Sequence, residues 1–338
     1  MIREKNPRDK MNLPHREPHF CRFALQQLMP FVDQFPIQYL AGKQGCQIAY
    51  RHFLHAESSP SAVRKLMILV NGRAENMLKW SELAYDFYQW GYDVLLFDHR
   101  GQGYSQRLLA DKDKGYIDEF RFYCEDMDAV IKQITHHYAY SQQYLLAHSL
   151  GSLISAYYLA NYDHHIQSAV LSSPFFGLPT KHLLRDEMII NLMMLFGQGQ
   201  RYVFGKSAYK PANLDQNELS FCKTRMKWMN RINRYFPELS LGGPTFRWVH
   251  LCLTAIKGLE KILSRIEIPV LVLQAGKEKI VENTQLEKLV ACLPKGQLIT
   301  VENAKHEILF ERDKIRAEAL SAVQAFISQP ATTARPTR

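Results

Sequence analysis

The chain has 338 residues, of which 46% are apolar, and it carries a formal net charge of +9. This length and composition predict a folded globular protein with a large buried core. The longest strongly apolar stretch, 188–196, is interrupted by Asn191, and it is far shorter than the ~20 residues that a membrane span needs.

The N-terminal sequence and the cysteines both favour a cytoplasmic protein. Residues 1–10 contain no apolar h-region, so no secretory signal is predicted. The cysteines show neither a CxxC pair nor a metal-like spacing, which predicts reduced, mostly buried thiols and no bound metal. There are six of them: Cys21, Cys46, Cys124, Cys222, Cys252 and Cys292.

Hydrophobic periodicity divides the chain into strands and helices. The N-terminal extension, 1–34, is at first polar and basic and then contains a short amphipathic element with Phe20, Phe23, Leu25, Leu28 and Phe31. Two runs, 37–40 and 47–50, flank a glycine-containing turn and predict a β-hairpin. Apolar runs typical of strands buried on both faces follow at 66–70, 94–97, 144–147, 169–171, 270–273 and 298–301. Helical patterns lie at 79–90, 117–136, 150–162, 249–265, 283–292 and 313–327.

This alternation predicts an α/β fold with a mostly parallel, doubly wound sheet and an antiparallel hairpin at one edge. From 177 to 244 no strand pattern appears. We expect this stretch to form a helical cap above the carboxyl ends of the strands, where such folds bind ligands. The predicted organisation is a core of 35–176 and 249–328, a cap of 177–248 and a disordered tail of 329–338.

The positive charge is concentrated in the predicted cap. Between Pro179 and His250 there are eleven Lys and Arg residues and five acidic residues. A basic region of this kind is either an ordinary solvated face or a surface that attracts phosphate headgroups or an anionic bilayer. No nucleic-acid-binding module is recognisable, so no nucleic-acid partner is predicted.

A nucleophile elbow is predicted at 147–151. The apolar run 144–147 leads into His148 and Ser149, and a helical pattern begins at Leu150. In such an elbow a strand turns sharply into a helix with the serine at its tip, and the flanking positions must be small. Ala147 and Gly151 meet that requirement. Ser149 is therefore the candidate nucleophile.

A serine hydroxyl needs a base, a group that orients the base, and donors for an oxyanion. On an elbow scaffold the acid and the histidine follow the serine in that order, on loops after late strands. His306 follows the last strand and is the predicted base, whereas the neighbouring His148 points away from an elbow serine and is predicted to be a packing or hydrogen-bonding residue. Glu278 follows the preceding strand and is the favoured acid, with Glu282 as the competing candidate.

The predicted oxyanion donors are the backbone amides of Leu150 and Arg73. Arg73 follows Gly72, which lets the backbone turn close to the site, and the direction of the Arg73 side chain is left open. The glycine-containing loop 98–105 lacks a following Lys-Ser/Thr pair, so it is predicted to be structural, with Asp98 paired to Arg100.

These motifs resemble the serine α/β-hydrolases of the monoglyceride-lipase-like branch, and especially the bacterial inner-membrane-associated lysophospholipases. The similarity extends over about residues 35–327 and is carried by Asn71–Glu75, Glu82–Asp86, Gly91–Val94, Asp98–Ser105, Ala147–Gly151, Gly242–Thr245 and Lys305–Glu311. It implies the α/β-hydrolase fold, Ser149, His306 and Glu278 as catalytic residues, and the amides of Arg73 and Leu150 as the oxyanion hole. The chain departs from the wider superfamily pattern at three positions, with Ala147 for Gly, Asn71 for His and Glu278 for Asp.

The resemblance implies hydrolysis of the fatty-acyl ester of a lysophospholipid through an acyl-enzyme, without a cofactor or metal. The run 188–196 offers an apolar wall for the acyl chain, with Met188, Met193 and Phe196 as candidate substrate contacts. A monoacylglycerol lipase or general carboxylesterase is the alternative, and a non-catalytic membrane-surface module is the third hypothesis. The expected location is the cytoplasm, in peripheral contact with the anionic surface of the inner membrane.

Overall fold

The computed structural model describes residues 15–56, 64–180 and 182–329. Eight strands form one sheet in the order β1-β2-β4-β3-β5-β6-β7-β8. Their bounds are β1 Gln38–Ala41, β2 Gln47–Phe53, β3 Lys65–Val70, β4 Asp93–Phe97, β5 Gln142–His148, β6 Ile166–Ser172, β7 Val270–Ala275 and β8 Gly296–Val301. The strand β2 pairs antiparallel with β1 and β4, and the remaining pairings are parallel. The predicted mostly parallel sheet with an antiparallel hairpin at one edge is confirmed.

The helices cover both faces of the sheet. Their bounds are α1 Phe20–Phe23, α2 Met29–Asp33, α3 Ser81–Gln89, α4 Arg121–His137, α5 Leu150–Asn161, α6 Leu183–Leu195, α7 Lys223–Tyr235, α8 Phe246–Lys257, α9 Leu259–Leu263, α10 Leu286–Val290 and α11 Asp313–Ile327. A π-helical turn, Ala24–Leu28, joins α1 to α2, and short 3₁₀ turns lie at Glu17–His19, Lys43–Gly45, Pro237–Leu239 and Ile308–Phe310. The helix predicted at 249–265 is divided at Gly258 into α8 and α9, and the helix predicted at 283–292 is only the five residues of α10.

Two hydrophobic cores form because successive strand residues point to opposite faces of the sheet. In β3, Leu66, Ile68 and Val70 enter the core under α4, α5 and α8. Met67 and Leu69 enter the other core, under α3 and α11. All five side chains are fully buried, which explains why a central parallel strand has a continuous apolar sequence rather than an alternating one.

The parallel register brings the loops of the site to one edge. Val70 pairs with Ala147, and Ala147 pairs with Leu171. Leu171 in turn pairs with Val272. The carboxyl ends of β3, β5, β6 and β7 therefore lie side by side, and the segments that follow them converge above the sheet, as expected for a ligand site in this architecture.

The N-terminal segment packs on the second core. Phe20, Phe23 and Phe31 are buried, and Phe23 and Phe31 make edge-to-face contacts with Tyr85 of α3. Leu25, predicted to belong to the same apolar face, is 56% exposed instead. The start of the predicted extension, 1–14, and the predicted disordered tail after residue 329 lie outside the described residues.

Between β6 and β7 the described residues hold α6 to α9 and no further strand of the sheet. We use the name cap for residues 177–248. Charged contacts attach the cap to the core: Arg225 of α7 donates to both carboxylate oxygens of Glu82 in α3, at 2.7 and 2.8 Å, and to Asp313 at 2.8 Å. Arg107 of the core donates to the carbonyl oxygen of Ser240 in the cap at 2.9 Å.

All six cysteines are free thiols, and four of them are buried, as the sequence predicted. Among the helices of the described ranges, none is both long and apolar enough to cross a membrane.

Candidate active site

The elbow forms between β5 and α5. Ser149 has φ 51° and ψ −117°, a strained conformation for a residue with a Cβ and one typical of functional positions. The turn requires glycine at position 151, because a Cβ there would lie 2.4 Å from the carbonyl oxygen of Val70. Ala147 fits the tight turn as a fully buried residue. The backbone thus presents Ser149 at the carboxyl edge of the sheet.

The structure brings Ser149, His306 and Glu278 into one hydrogen-bonded chain. His306 Nε2 lies 3.0 Å from Ser149 Oγ, and His306 Nδ1 lies 2.8 Å from Glu278 Oε2. The side chains of His306 and Glu278 are only 4% and 1% exposed. Glu282 does not take part: its carboxylate accepts from the amide and hydroxyl of Thr284, both at 2.6 Å.

Glu278 is oriented by its own loop. One oxygen accepts from the backbone amides of Lys279, Ile280 and Val281 at 3.0, 2.7 and 3.3 Å. The other oxygen faces His306. Burial raises the pKa of Glu278, but the hydrogen bonds from His306 and the loop amides outweigh it, and the pKa lies below its usual value. Glu278 is therefore an anion at neutral pH.

An ionised Glu278 fixes the tautomer of His306. A carboxylate can only accept, so His306 Nδ1 carries the proton and Nε2 offers a lone pair to Ser149. Burial lowers the pKa of His306, and this effect exceeds the opposing effect of Glu278. His306 is thus neutral at pH 7 and able to accept the Ser149 proton.

The two predicted oxyanion donors, the backbone amides of Arg73 and Leu150, have no hydrogen-bond acceptor among the described residues. Within the described ranges, no hydrogen bond uses the backbone N–H of Arg73 or Leu150. The turn that carries Arg73 approaches the serine closely, since a Cβ at Gly72 would lie 3.2 Å from the Cβ of Ser149. The Gly72 amide donates to Glu75, so Glu75 holds this turn in place.

A buried network of four ionisable side chains lies beside this site. Lys79 Nζ contacts Glu75 and lies 2.6 Å from Glu307. His148 Nδ1 lies 3.2 Å from Glu75 Oε2, and His148 Nε2 lies 3.2 Å from the carbonyl oxygen of His306. The prediction that His148 is a local hydrogen-bonding residue is confirmed, but the sequence analysis missed Glu75, Lys79 and Glu307.

His148 is doubly protonated in this arrangement. Both of its partners, a carboxylate and a carbonyl oxygen, can only accept, so each ring nitrogen must donate. Burial lowers the pKa of His148, but the Glu75 carboxylate outweighs it and leaves the pKa above its usual value. The pKa of Lys79 is likewise raised, because Glu307 and Glu75 outweigh burial. The network consists of two cations and two anions, which is how such groups are tolerated in the interior.

The predicted pairing of Asp98 with Arg100 is wrong. Arg100 donates instead to both oxygens of Asp126 in α4, at 2.5 and 2.7 Å. Asp98 accepts from Asn71 Nδ2 at 2.9 Å and from the Tyr104 amide at 2.8 Å, and burial raises its pKa to about 7. Asn71 therefore braces the loop after β4, and it does not point at Ser149.

Ser149 and His306 line a cavity of about 580 Å³ between core and cap, a size suited to a small ligand or an acyl chain. Its apolar wall includes Leu178, Leu219, Met226, Met229 and Val281. The cations Arg73, Lys206 and Lys210 also line it.

The predicted substrate contacts, Met188 and Met193 in α6 and Phe196 just after it, do not line this cavity. Met188 and Phe196 are 66% and 67% exposed, and Met193 packs against the first core. Met226 and Met229 of α7 line the cavity instead. Among the residues that the structure describes, no three His, Cys, Asp or Glu side chains are grouped to hold a metal ion.

Known proteins share this architecture and much of this sequence. The family model described as Serine aminopeptidase, S33 matches residues 61–313. A probable lysophospholipase L2 of Haemophilus influenzae is 64% identical over 313 residues, 93% of this chain and 98% of that protein. Lysophospholipase L2 of Escherichia coli is 29% identical over 325 residues, 93% of this chain and 94% of that protein. A soluble variant of monoglyceride lipase from Saccharomyces cerevisiae, solved with a substrate analog, has a TM-score of 0.70 at 19% identity and covers 89% of this chain and 96% of that chain. The predicted α/β-hydrolase fold is confirmed.

Proposed function

We propose that this chain, which belongs to the Serine aminopeptidase, S33 family, is a lysophospholipase that acts through Ser149, His306 and Glu278. The observation that carries the proposal is the hydrogen-bonded chain of these three side chains at the wall of an apolar cavity with cations beside it. The 64% identity to a probable lysophospholipase L2 supports the same substrate class.

In the proposed reaction His306 Nε2 takes the hydroxyl proton as Ser149 Oγ attacks the ester carbonyl carbon. The amides of Arg73 and Leu150 donate to the resulting oxyanion, and Glu278 stabilises the imidazolium. The carbonyl re-forms as the bond to the glycerol oxygen breaks, and His306 protonates that oxygen. Water, deprotonated by His306, then attacks the acyl-enzyme, and the fatty acid leaves as Ser149 recovers its proton.

A single acyl chain suits the cavity. The side chains of Met226 and Met229 are flexible and polarisable, so they adapt to an alkyl chain. The polar end of the substrate would lie toward Lys206 and Lys210, which are exposed and also line the cavity. We therefore expect a substrate with one chain and an anionic group.

A monoacylglycerol lipase is the second candidate, favoured by the apolar wall alone, because that wall does not require a headgroup charge. Release of an N-terminal amino acid is disfavoured, since an aminopeptidase needs an anion for the substrate ammonium. The cavity carboxylates of the described residues, Glu75 and Glu307, are both bound to Lys79.

The deciding experiment compares hydrolysis of a lysophosphatidylethanolamine series and of 1-monoacylglycerol by the wild type and by Ser149→Ala. We expect fatty-acid release from the lysophospholipids to have the higher kcat/KM and to disappear in the variant. A fluorophosphonate probe should label the wild type and not the variant. Faster turnover of the monoacylglycerol would favour the second candidate, and an unlabelled wild type would support a non-catalytic role.

We further propose that the cap contacts the anionic inner-membrane surface through one face of α6. Leu184, Met188, Leu192 and Leu195 recur at helical spacing and are 83%, 66%, 51% and 79% exposed. Clustered exposed apolar side chains of this kind mark an interaction site, and the basic cap complements an anionic bilayer.

Co-sedimentation with vesicles containing phosphatidylglycerol tests this surface. Leu184→Glu combined with Leu195→Glu should weaken binding, whereas Leu25→Glu, at an exposed leucine of the N-terminal segment, should not. Binding that is insensitive to the α6 substitutions, or equal on neutral vesicles, would contradict the proposal.

A further inference from the structure

Arg73 presents an unusual cation to the cavity. Its Nη2 donates to the carbonyl oxygen of Gly242 in the cap, and its Cζ lies 5.2 Å from the centre of the Trp248 ring. Nε is buried without a hydrogen-bond partner, and Nη1 has no partner among the described residues. Only one of the three nitrogens of this guanidinium is thus hydrogen-bonded within the described residues.

Carboxylates do not neutralise Arg73. The buried Arg100 and Arg225 each form an ion pair with an acid, but in the described ranges Arg73 forms none. Arg107 resembles Arg73 in bonding to backbone carbonyls alone, yet it does not line the cavity.

The other charged side chains of the cavity also leave it with an excess of positive charge. Glu75 and Glu307 both contact Lys79, so they offer no free negative charge. Lys206 and Lys210 line the cavity from the cap and have no ion pair within the described chain. Three cations therefore share the cavity without a carboxylate partner.

We propose that Arg73, assisted by Lys206 and Lys210, binds the phosphate of a phosphate-ester ligand and so selects lysophospholipids over neutral monoacyl esters. This proposal rests on the proposed lysophospholipase function. A guanidinium suits phosphate because its N–H groups form a planar fork that matches two oxygens. Burial lowers the pKa of Arg73 to about 10, so the side chain stays charged at neutral pH.

Arg73 is placed so that its backbone and its side chain can contact two different parts of one substrate. Its amide is a proposed oxyanion donor, and its side chain extends from the same residue to Gly242 and Trp248. In a lysophospholipid the ester carbonyl and the phosphate are likewise joined through one short glycerol unit. One residue can therefore engage the reacting carbonyl with its backbone and the headgroup with its side chain.

The first test compares the effect of Arg73→Met on kcat/KM for a phosphate-containing and a neutral substrate. For Arg73→Met, kcat/KM for lysophosphatidylethanolamine should fall at least about tenfold more than kcat/KM for 1-monoacylglycerol, because a charge-assisted hydrogen bond contributes to one substrate only. Arg107→Met is the matched control and should leave the ratio unchanged. An equal fall for both substrates in Arg73→Met would assign Arg73 a purely structural role and overturn the proposal.

The second test does not depend on lysophospholipid turnover. Glycerol 3-phosphate should inhibit hydrolysis of p-nitrophenyl butyrate competitively in the wild type, and Arg73→Met should weaken this inhibition at least about tenfold. Inorganic phosphate should inhibit less well, since it lacks the glycerol that links the two positions. Inhibition that is absent, or unaffected by Arg73→Met, would overturn the phosphate site. Arg73-dependent inhibition in an enzyme that hydrolyses no lysophospholipid would support the site and refute only the proposed function.

Discussion

Replacing Glu278 with Gln tests the proposed machinery most sharply. The substitution keeps the size of the side chain but removes its charge. In the wild type one carboxylate oxygen accepts from three loop amides at 2.7–3.3 Å, and the other accepts from His306 Nδ1 at 2.8 Å. A glutamine amide has one oxygen and one NH₂ group, so it cannot accept on both sides.

The loop decides how the new amide is oriented. If its oxygen faces the loop, the three backbone hydrogen bonds survive and the NH₂ group faces His306 Nδ1. The opposite orientation sets the NH₂ group against three N–H donors, and the loss of these bonds costs about 1 kcal/mol or more for each. The first orientation therefore prevails, and His306 must move its proton to Nε2, which then cannot accept from Ser149.

A wrong histidine tautomer of this kind lowers kcat by about 10⁴-fold in a serine protease, equivalent to about 5 kcal/mol of activation free energy. We expect Glu278→Gln to lose activity on this scale, measured as fatty-acid release and as the rate of fluorophosphonate labelling of Ser149. Circular dichroism and thermal unfolding should show a retained fold. Glu282→Gln is the control, because a glutamine oxygen can still accept from both donors of Thr284. More than about a tenth of wild-type kcat in Glu278→Gln, well above the tautomer expectation, or a comparable loss in Glu282→Gln, would refute the reasoning.

Lys79→Met should lower the free energy of unfolding by about 3–5 kcal/mol in urea titrations, because it removes the cation shared by the buried Glu75 and Glu307 and leaves Glu307 without an ion pair among the described residues. Burial alone would raise the pKa of Glu82, but the larger combined effect of its arginine partners lowers that pKa to about 2. Glu82 therefore contributes roughly 3 kcal/mol of stability above pH ~4.5, lost as the pH falls toward 2, and the stability difference between wild type and Glu82→Gln should shrink over that window. Gly151→Ala should lower Tm and activity together, since its Cβ would lie 2.4 Å from a backbone oxygen of β3. The acid limb of kcat/KM should lie below pH 6.5, because the pKa of His306 is below that value and activity requires the neutral ring.

The core of the fold was predictable because parallel strands buried on both faces leave continuous apolar runs in the sequence. The order of the strands in the sequence then indicated which loops should contain the acid and the histidine. Once Ser149 was assigned to an elbow, the loops after the last two strands were the places to search; the last contained His306, and the one before it contained Glu278 and Glu282. The sequence could not tell which of Glu278 and Glu282 faces the histidine, because that depends on side-chain direction; in the structure Glu278 lies 2.8 Å from His306.

The cap was less predictable because helical spacing does not tell which face of a helix meets a cavity. The apolar run in α6 suggested substrate contact, yet its outer face is exposed. The basic charge of the cap was compatible with a solvated face, yet Met226 and Met229 of α7 line the cavity. The orientation of α7 depends on the contact between Arg225 and Glu82, 143 residues apart in the chain, which no local pattern reveals.

The mispredicted loop 98–105 shows the same limit at short range. Asp98 and Arg100 are neighbours in sequence, and proximity alone favoured a pair. The backbone turns through positive φ just after them, at Gly101 and Gly103, and the two side chains take different partners. Arg100 then reaches Asp126 in α4, and Asp98 stays buried against Asn71.

The buried network gives His148 a role beyond packing. Its ring centroid lies 4.8 Å from that of His306. Burial is the main cause of the lowered pKa of His306, and His148 lowers that pKa further. At the same time the His148 ring joins Glu75, which holds the oxyanion turn at Gly72, to the backbone carbonyl of His306. One connected group of charges thus holds the turn that carries the proposed oxyanion donor Arg73 and contacts the proposed base His306. If the proposed mechanism holds, His148 supports both of these groups without itself contacting Ser149.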